Sequence, residues 1–202
     1  MCSAGLPLLL LNTSIMRTSI LLLALLGAFA LRAQTFSVST HQVKISGSSN
    51  VQNWESAVNK VSGTAQLLLS SEGVLESVEG LRVQMEVASI KSEKGSTMDN
   101  KTQEALKAKQ HPNITFTQAR LQSLTRQGNT YILVLVGQLE VAGARKTITL
   151  RATGSPQGAQ WQFGGEMPLK MTDFKVDPPT AMLGAMRTAD DVTIKFNVTM
   201  SR

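Results

Sequence analysis

The chain has a single cysteine, Cys2, placed ahead of its longest apolar stretch, so no disulfide framework can form within it. Histidine is almost as scarce. His41 and His111 are the only two, and no His, Cys or carboxylate spacing around either resembles a metal site. Aromatic residues make up 4% of the sequence, so the core must be aliphatic, with nine methionines as a soft supplement. Basic residues are scattered, and no basic block interleaved with aromatics marks a nucleic-acid surface. Also missing are a G-x-S-x-G elbow, a Walker loop, a dinucleotide fingerprint and an H-E-x-x-H helix. Asp190 and Asp191 are adjacent, so on a strand they face opposite ways and form no acid–base pair. Asp173 and Asp177 read as solvated loop acids. These absences leave no residue set for catalysis, and a non-enzymatic protein is expected.

The apolar residues that are present have two kinds of order. At the N-terminus, MRTSILLLALLGAFALRA (16–33) runs from Arg17 through an apolar stretch to small residues, the pattern of a secretory signal peptide. Cleavage fits after Ala30 or after Ala33, and Met16 fits as the true start. The run is short for a permanent membrane anchor. Residues 1–33 are therefore read as a signal peptide and 34–202 as one domain, periplasmic or secreted. Removing Arg17 and Arg32 leaves 18 basic against 14 acidic residues, a net +4 that favours solubility.

Beyond residue 34 the order is period two, the signature of strands with one face in a core. VSGTAQLLLS (61–70) puts Leu67 and Leu69 on one face, and GLRVQMEVAS (80–89) does so for Met85 and Val87. NITFTQARLQSL (113–124) starts with Ile114 and Phe116 inward, and TYILVLVGQLEVAG (130–143) is almost continuously apolar. RKTITLRATG (145–154) offers Ile148 and Leu150, AQWQFGGEMPLKM (159–171) offers Trp161, Phe163 and Met171, and DVTIKFNVTM (191–200) offers Ile194 and Phe196. Val-Ala-Gly-Ala-Arg at 141–145 reads as a hairpin turn.

One segment departs from this. GSTMDNKTQEALKAKQ (95–110) has helix formers, Ser96 with Asp99 three residues on as a capping box, and a stripe of Met98, Thr102, Ala105 and Leu106. A helix over about 97–110 is expected, ending where Pro112 disfavours helical backbone at His111. His111 is read as a hinge. Eight or so antiparallel strands with one inserted helix make a sandwich or a closed barrel. Closure removes exposed strand edges, which favours the barrel. Its inward residues either fill a solid core or line a space for one small ligand. Leu106 would close one end, and Met182 lies in a methionine-rich loop (178–186) at the mouth.

Four stretches in register resemble one family: ISGSSNVQNWES (45–56), VEGLRVQMEVASIKSEKGSTMDNKTQEALKAKQHPNITFT (78–117), GQLEVAGARKTITL (137–150) and DFKVDPPTAMLGAMRTADDVTIKFNVTM (173–200). Together they are similar to the YceI-like family. That resemblance implies an extended, lipocalin-like eight-stranded barrel, exported, holding a polyisoprenoid or similar amphiphile, with an isoprenoid lipid or quinone as bound ligand and no catalytic cofactor. Asn53, Trp54 and Arg187 are then the candidates facing the head group. The chain departs from the family pattern at Gln52 and Asn53, where many members have His, and at His111, where many have Tyr or Phe. A solid-core module that partners a membrane component is the alternative function, and a dimer stays open.

Overall fold

The computed structural model describes residues 32–181 and 184–202. Among the described residues, eleven strands and one α-helix follow one another: β1 (Arg32–Ser49), β2 (Asn53–Val58), β3 (Val61–Leu69), β4 (Leu75–Glu86), β5 (Ile90–Ser92), α1 (Ser96–Ala105), β6 (Asn113–Gln127), β7 (Thr130–Val141), β8 (Ala144–Gln157), β9 (Gln160–Lys170), β10 (Thr180–Ala181) and β11 (Met186–Ser201). Eight of the strands close an antiparallel barrel in the order β1-β3-β4-β6-β7-β8-β9-β11, with β11 returning to β1. The closed barrel, favoured over a sandwich because it leaves no strand edges and implied in lipocalin-like form by the family resemblance, is therefore the fold.

Strand β1 joins the parts. It pairs with β11 along most of its length. On its other side Arg32–Ser37 pair with β3, whereas Lys44–Ser48 pair with β2. Strand β2 in turn carries β5, so the sheet continues past one rim of the barrel and leads into α1. The barrel thus has two different ends. One is made of tight hairpin turns; the other carries β2, β5, α1, β10 and the segment 171–179. Arg32 and Ala33, read from sequence as the end of the signal peptide, pair with Leu69 and Leu68. Residues 1–31 lie outside the described residues.

The hairpin at 141–144 forms as expected, with Ala142 at φ +49° and Gly143 at φ +82°, the paired positive angles of a two-residue turn that matches strand twist. The His111 ring lies on this turn, and a Cβ added at Gly143 would come 2.5 Å from it. The His111 N–H donates to the Lys107 carbonyl, and the Val87 N–H donates to the Pro112 carbonyl. His111 is thus a packed hinge between helix and strand.

The helix is shorter than expected. It ends at Ala105 rather than near residue 110, because Lys107 turns to φ +53° and Leu106–Gln110 continue as turns. The capping box also fails to form, and Gly95 takes the N-cap position without a side-chain bond.

Inside the barrel, aromatic rings lie across glycines. A Cβ on Gly137 would sit 2.7 Å from the Phe116 ring, one on Gly154 2.7 Å from Phe163, and one on Gly165 2.8 Å from Phe196. Near the rim, Gly47 and Trp54 repeat the contact at 2.5 Å. In the last three cases glycine and ring are direct cross-strand partners, so the ring covers backbone that a side chain would otherwise shield. Gly137→Ala is expected to destabilise the fold by about 1–3 kcal/mol through overpacking. Urea denaturation should show part of that loss recovered when Phe116→Leu is added, and strict additivity of the two changes would show that the ring is not the obstacle.

Candidate functional site

The barrel and its α1 end hold two apolar spaces. The inner chamber, about 130 Å³, is lined only by apolar residues. The outer chamber, about 340 Å³, lies under α1 and between β2, the 171–179 segment and the start of β11. Ile194 is the residue that lines both. The outer volume alone is in the range of small-molecule sites.

The sequence-expected residues distribute as follows. Leu67, Met85, Phe116, Ile148, Leu150, Phe163 and Phe196 line the inner chamber, and Leu106, Ile114 and Met171 line the outer one. Leu69, Val87 and Trp161 are buried but line neither. Trp161 instead belongs to the closed end, with its ring 5.3 Å from Tyr131 and 6.0 Å from Phe163 between centroids. The Tyr131 hydroxyl accepts the Leu75 N–H at 3.4 Å, which gives that oxygen a partner. Met182 lies outside the described residues.

At the mouth, Trp54 lines the outer chamber, and its indole N–H donates to the Ser48 carbonyl at 3.2 Å. Asn53 and Arg187 do not line it. Each is exposed and adjoins a lining residue, Trp54 for Asn53 and Met186 and Thr188 for Arg187, so strand alternation turns it to the other face. The Arg187 guanidinium donates from Nε to the Gly184 carbonyl, and its backbone N–H donates to Asn50 Oδ1.

Several lining residues went unread in the sequence. Val38 and Val43 face the inner chamber and Ile45 the outer, but a bulge between Val38 and Thr40 breaks their period. Leu133, Leu135 and Leu139 were hidden in the continuous apolar run of β7, which carries Ile132, Val134 and Val136 on its other face. Met98, Thr102 and Ala105 carried a signal, the helical stripe, and all three face the outer chamber beside Leu106.

Two carboxylates hold the roof in place. Asp99, buried on α1, accepts the Ser92 N–H at 2.7 Å and pairs with Lys91 at 3.3 Å. The Ser92 N–H chiefly keeps its carboxyl below the usual aspartate range, with Lys91 assisting and burial opposing. Asp190 accepts the Thr172 N–H at 2.8 Å and the Thr172 hydroxyl at 2.7 Å, and these two bonds lower its pKa. They anchor the short turn Thr172–Phe174, whose Phe174, with Val176, lines the outer chamber. Among the described residues no group of three or more His, Cys, Asp or Glu could hold a metal ion, and no helix is long and apolar enough to cross a membrane.

A closed antiparallel barrel around an apolar interior, roofed by one helix, defines the class of lipocalin-like, ligand-enclosing barrels. The YceI-like domain matches residues 31–200, and the chain belongs to that family. Among solved structures it is similar to Burkholderia cenocepacia BcnA, with 27% identity over 79% of this chain and 95% of that one and a TM-score of 0.56. A polyisoprenoid binding domain from Saccharophagus degradans shares the fold at 9% identity, covering 84% and 99% of the two chains with a TM-score of 0.62. The Campylobacter jejuni YCEI protein shares it at 23% identity, 71% and 82% coverage and a TM-score of 0.52. No curated protein sequence matches the chain.

The Asp99 carboxyl is depressed in the folded state, so its contribution is complete above about pH 4, the ordinary aspartate value, and fades as pH falls through the depressed value. Hydrogen exchange should therefore show α1 amides losing protection in acid before those of the barrel strands. Asp99→Asn should remove that acid step.

Proposed function

We propose that this protein is an exported, non-catalytic carrier that encloses the tail of an isoprenoid or similar amphiphilic lipid, a prenylated quinone among them. The observation that carries this reading is the pair of apolar chambers, one under α1 and one within the barrel, whose linings meet at Ile194. The inner chamber, which has no polar lining, offers a tail no hydrogen bonds, so affinity there comes from apolar area, roughly 25 cal/mol per Å² removed from water, less the cost of ordering the chain. Family membership supports the reading, as does the fold shared with the polyisoprenoid binding domain. Export rests on the signal-peptide pattern of residues 16–33.

The protein purified from a bacterial periplasm should release a stoichiometric isoprenoid lipid on solvent extraction, with a matching adduct in native mass spectrometry. Ile194→Trp, which enlarges the side chain that lines both chambers, should lower binding of a long-chain polyprenol about tenfold or more while leaving the circular dichroism spectrum unchanged. Phe163→Arg should abolish it. A folded protein that carries no lipid and takes up neither polyprenol nor quinone would overturn the carrier reading in favour of a protein-interaction module.

A further inference from the structure

Strands β8 and β9 meet over only part of their length. They pair from Thr153–Gln157 against Gln160–Gly164. Toward the α1 end, Ala144–Ala152 keep their bonds to β7 and Gly165–Lys170 keep theirs to β11, but no ladder joins the two stretches. The wall therefore has a seam. Pro168 stands on this part of β9, and proline, which offers no N–H, suits a strand side without a ladder. The exposed charges of Lys146 and Arg151 on the facing strand discourage pairing with a foreign strand. Both lips of the seam carry lining residues: Ile148 and Leu150 from β8 and Met167 from β9 face the inner chamber, and Leu169 faces the outer one. At the foot of the seam an outer groove of about 530 Å³ runs past Gly164 and Gly165. Ala152 and Phe196 line both this groove and the inner chamber.

The segment 171–179 covers the seam. Its turn, Thr172–Phe174, packs against both β8 and β9, and Phe174 and Val176 are buried against the outer chamber. The segment is fastened at its ends. The Met171 N–H donates to the Asp190 carbonyl, Thr172 is bonded to the Asp190 carboxylate, and the Thr188 N–H donates to the Pro179 carbonyl. Among the described residues, one polar contact ties its middle to the wall, the exposed pair of Asp173 with Lys146 of β8 at 2.6 Å. Lys175 holds φ +55°, a conformation that residues other than glycine seldom adopt, so the closed segment carries a backbone cost that opening releases.

We propose that the segment 171–179 is a side gate, through which a lipid tail passes between β8 and β9 instead of being threaded end-on. This rests on the carrier reading and adds its route of exchange. Parting most of the wall would break a ladder of backbone hydrogen bonds, each costly to leave unmade. Parting β8 from β9 beyond Thr153 and Gly164 breaks none. What opening gives up is an exposed ion pair, which contributes little in water, and the burial of Phe174 and Val176, which an entering tail replaces with apolar contacts of its own. A second break in the ladder, between β4 and β6 past Val83 and Phe116, is secured differently. There the buried Tyr131 reaches from β7 and accepts the Leu75 N–H of β4.

A reversible cross-link tests the gate. In a Cys2→Ser background the chain has no thiol, so Lys146→Cys and Asp173→Cys can be joined selectively by a reducible bis-maleimide. The protein is loaded with radiolabelled geranylgeraniol, linked, and mixed with excess phosphatidylcholine vesicles. Linking should slow transfer to the vesicles about tenfold or more. Cleaving the linker with a reductant should restore the rate of the unlinked variant. The same link between Lys44→Cys and Glu55→Cys, which replaces an exposed ion pair joining β1 and β2, should leave transfer unchanged. Four outcomes would overturn the gate while leaving the carrier reading in place: undiminished transfer from the linked protein, slowing that reduction does not reverse, equal slowing by the β1–β2 link, or loss of binding confined to the unlinked Lys146→Cys, Asp173→Cys variant. Failure of the folded parent protein to bind geranylgeraniol would remove the carrier reading and the gate together.

Discussion

The hollow interior depends on aromatic rings lying down on glycines. An eight-stranded barrel encloses a space that ordinary side chains can fill completely, and Phe116, Phe163 and Phe196 all project into this one. Each instead spreads over a neighbouring strand at Gly137, Gly154 or Gly165, where the lack of a Cβ lets the ring lie against the backbone. The rings therefore thicken the wall rather than occupy the lumen, and aliphatic residues such as Leu67, Leu135 and Leu150 line what remains. The low aromatic content of the chain matters less than where those few rings sit. The same contact recurs at Gly47 and Trp54, so the rim and the wall are built by one device.

The mouth is held by polar bonds, in contrast to the wall. Strand β5 and α1 are joined by Asp99 with Ser92 and Lys91, and the turn holding Phe174 is joined to β11 by Asp190 and Thr172. Lys101 spans from α1 to β10. These bonds tie together short elements that have little apolar area of their own. The ion pairs on the outer wall, such as Lys195 with Glu166, are exposed and contribute little to stability. The molecule thus combines a cooperative apolar cylinder with a roof held by a few bonds, and regions of the second kind open more readily than packed strands.

Strands β3, β6, β8, β9 and β11 were legible because clean alternation survives in their sequences, and the 141–144 turn because Ala-Gly between two apolar runs leaves little choice. The inserted helix was legible in its stripe, though not in its end, which depends on the φ of Lys107. What could not be read is whatever depends on partners distant in sequence. That Gly137 receives the Phe116 ring follows from strand register, as does the grouping of Lys94 and Lys101 with Trp54 around one opening. Asn53 and Arg187 were assigned to the mouth by proximity in sequence, and a shift of one residue along a strand puts each on the opposite face. Asp99 looked like a capping residue because its spacing from Ser96 is local, whereas its actual partners precede the helix.

The bulge in β4 illustrates how much rests on single residues. Glu79 pairs with Gln66 and Arg82 with Thr64, so Gly80 and Leu81 together stand opposite Ala65, with Gly80 at φ +58°. The extra residue resets the phase of the strand. Upstream of it Val78 faces the lumen, and downstream Leu81, Val83 and Met85 do so again, three apolar side chains that an unbroken two-residue repeat from Val78 would have turned toward water. Gly80 therefore works as a frame-shift written into the backbone: the inner surface is continuous in space although its repeat is interrupted in the chain. Variation in this barrel is accordingly constrained more tightly in length than in identity along β4, since exchanging one aliphatic residue for another preserves the surface while gaining or losing one position inverts it.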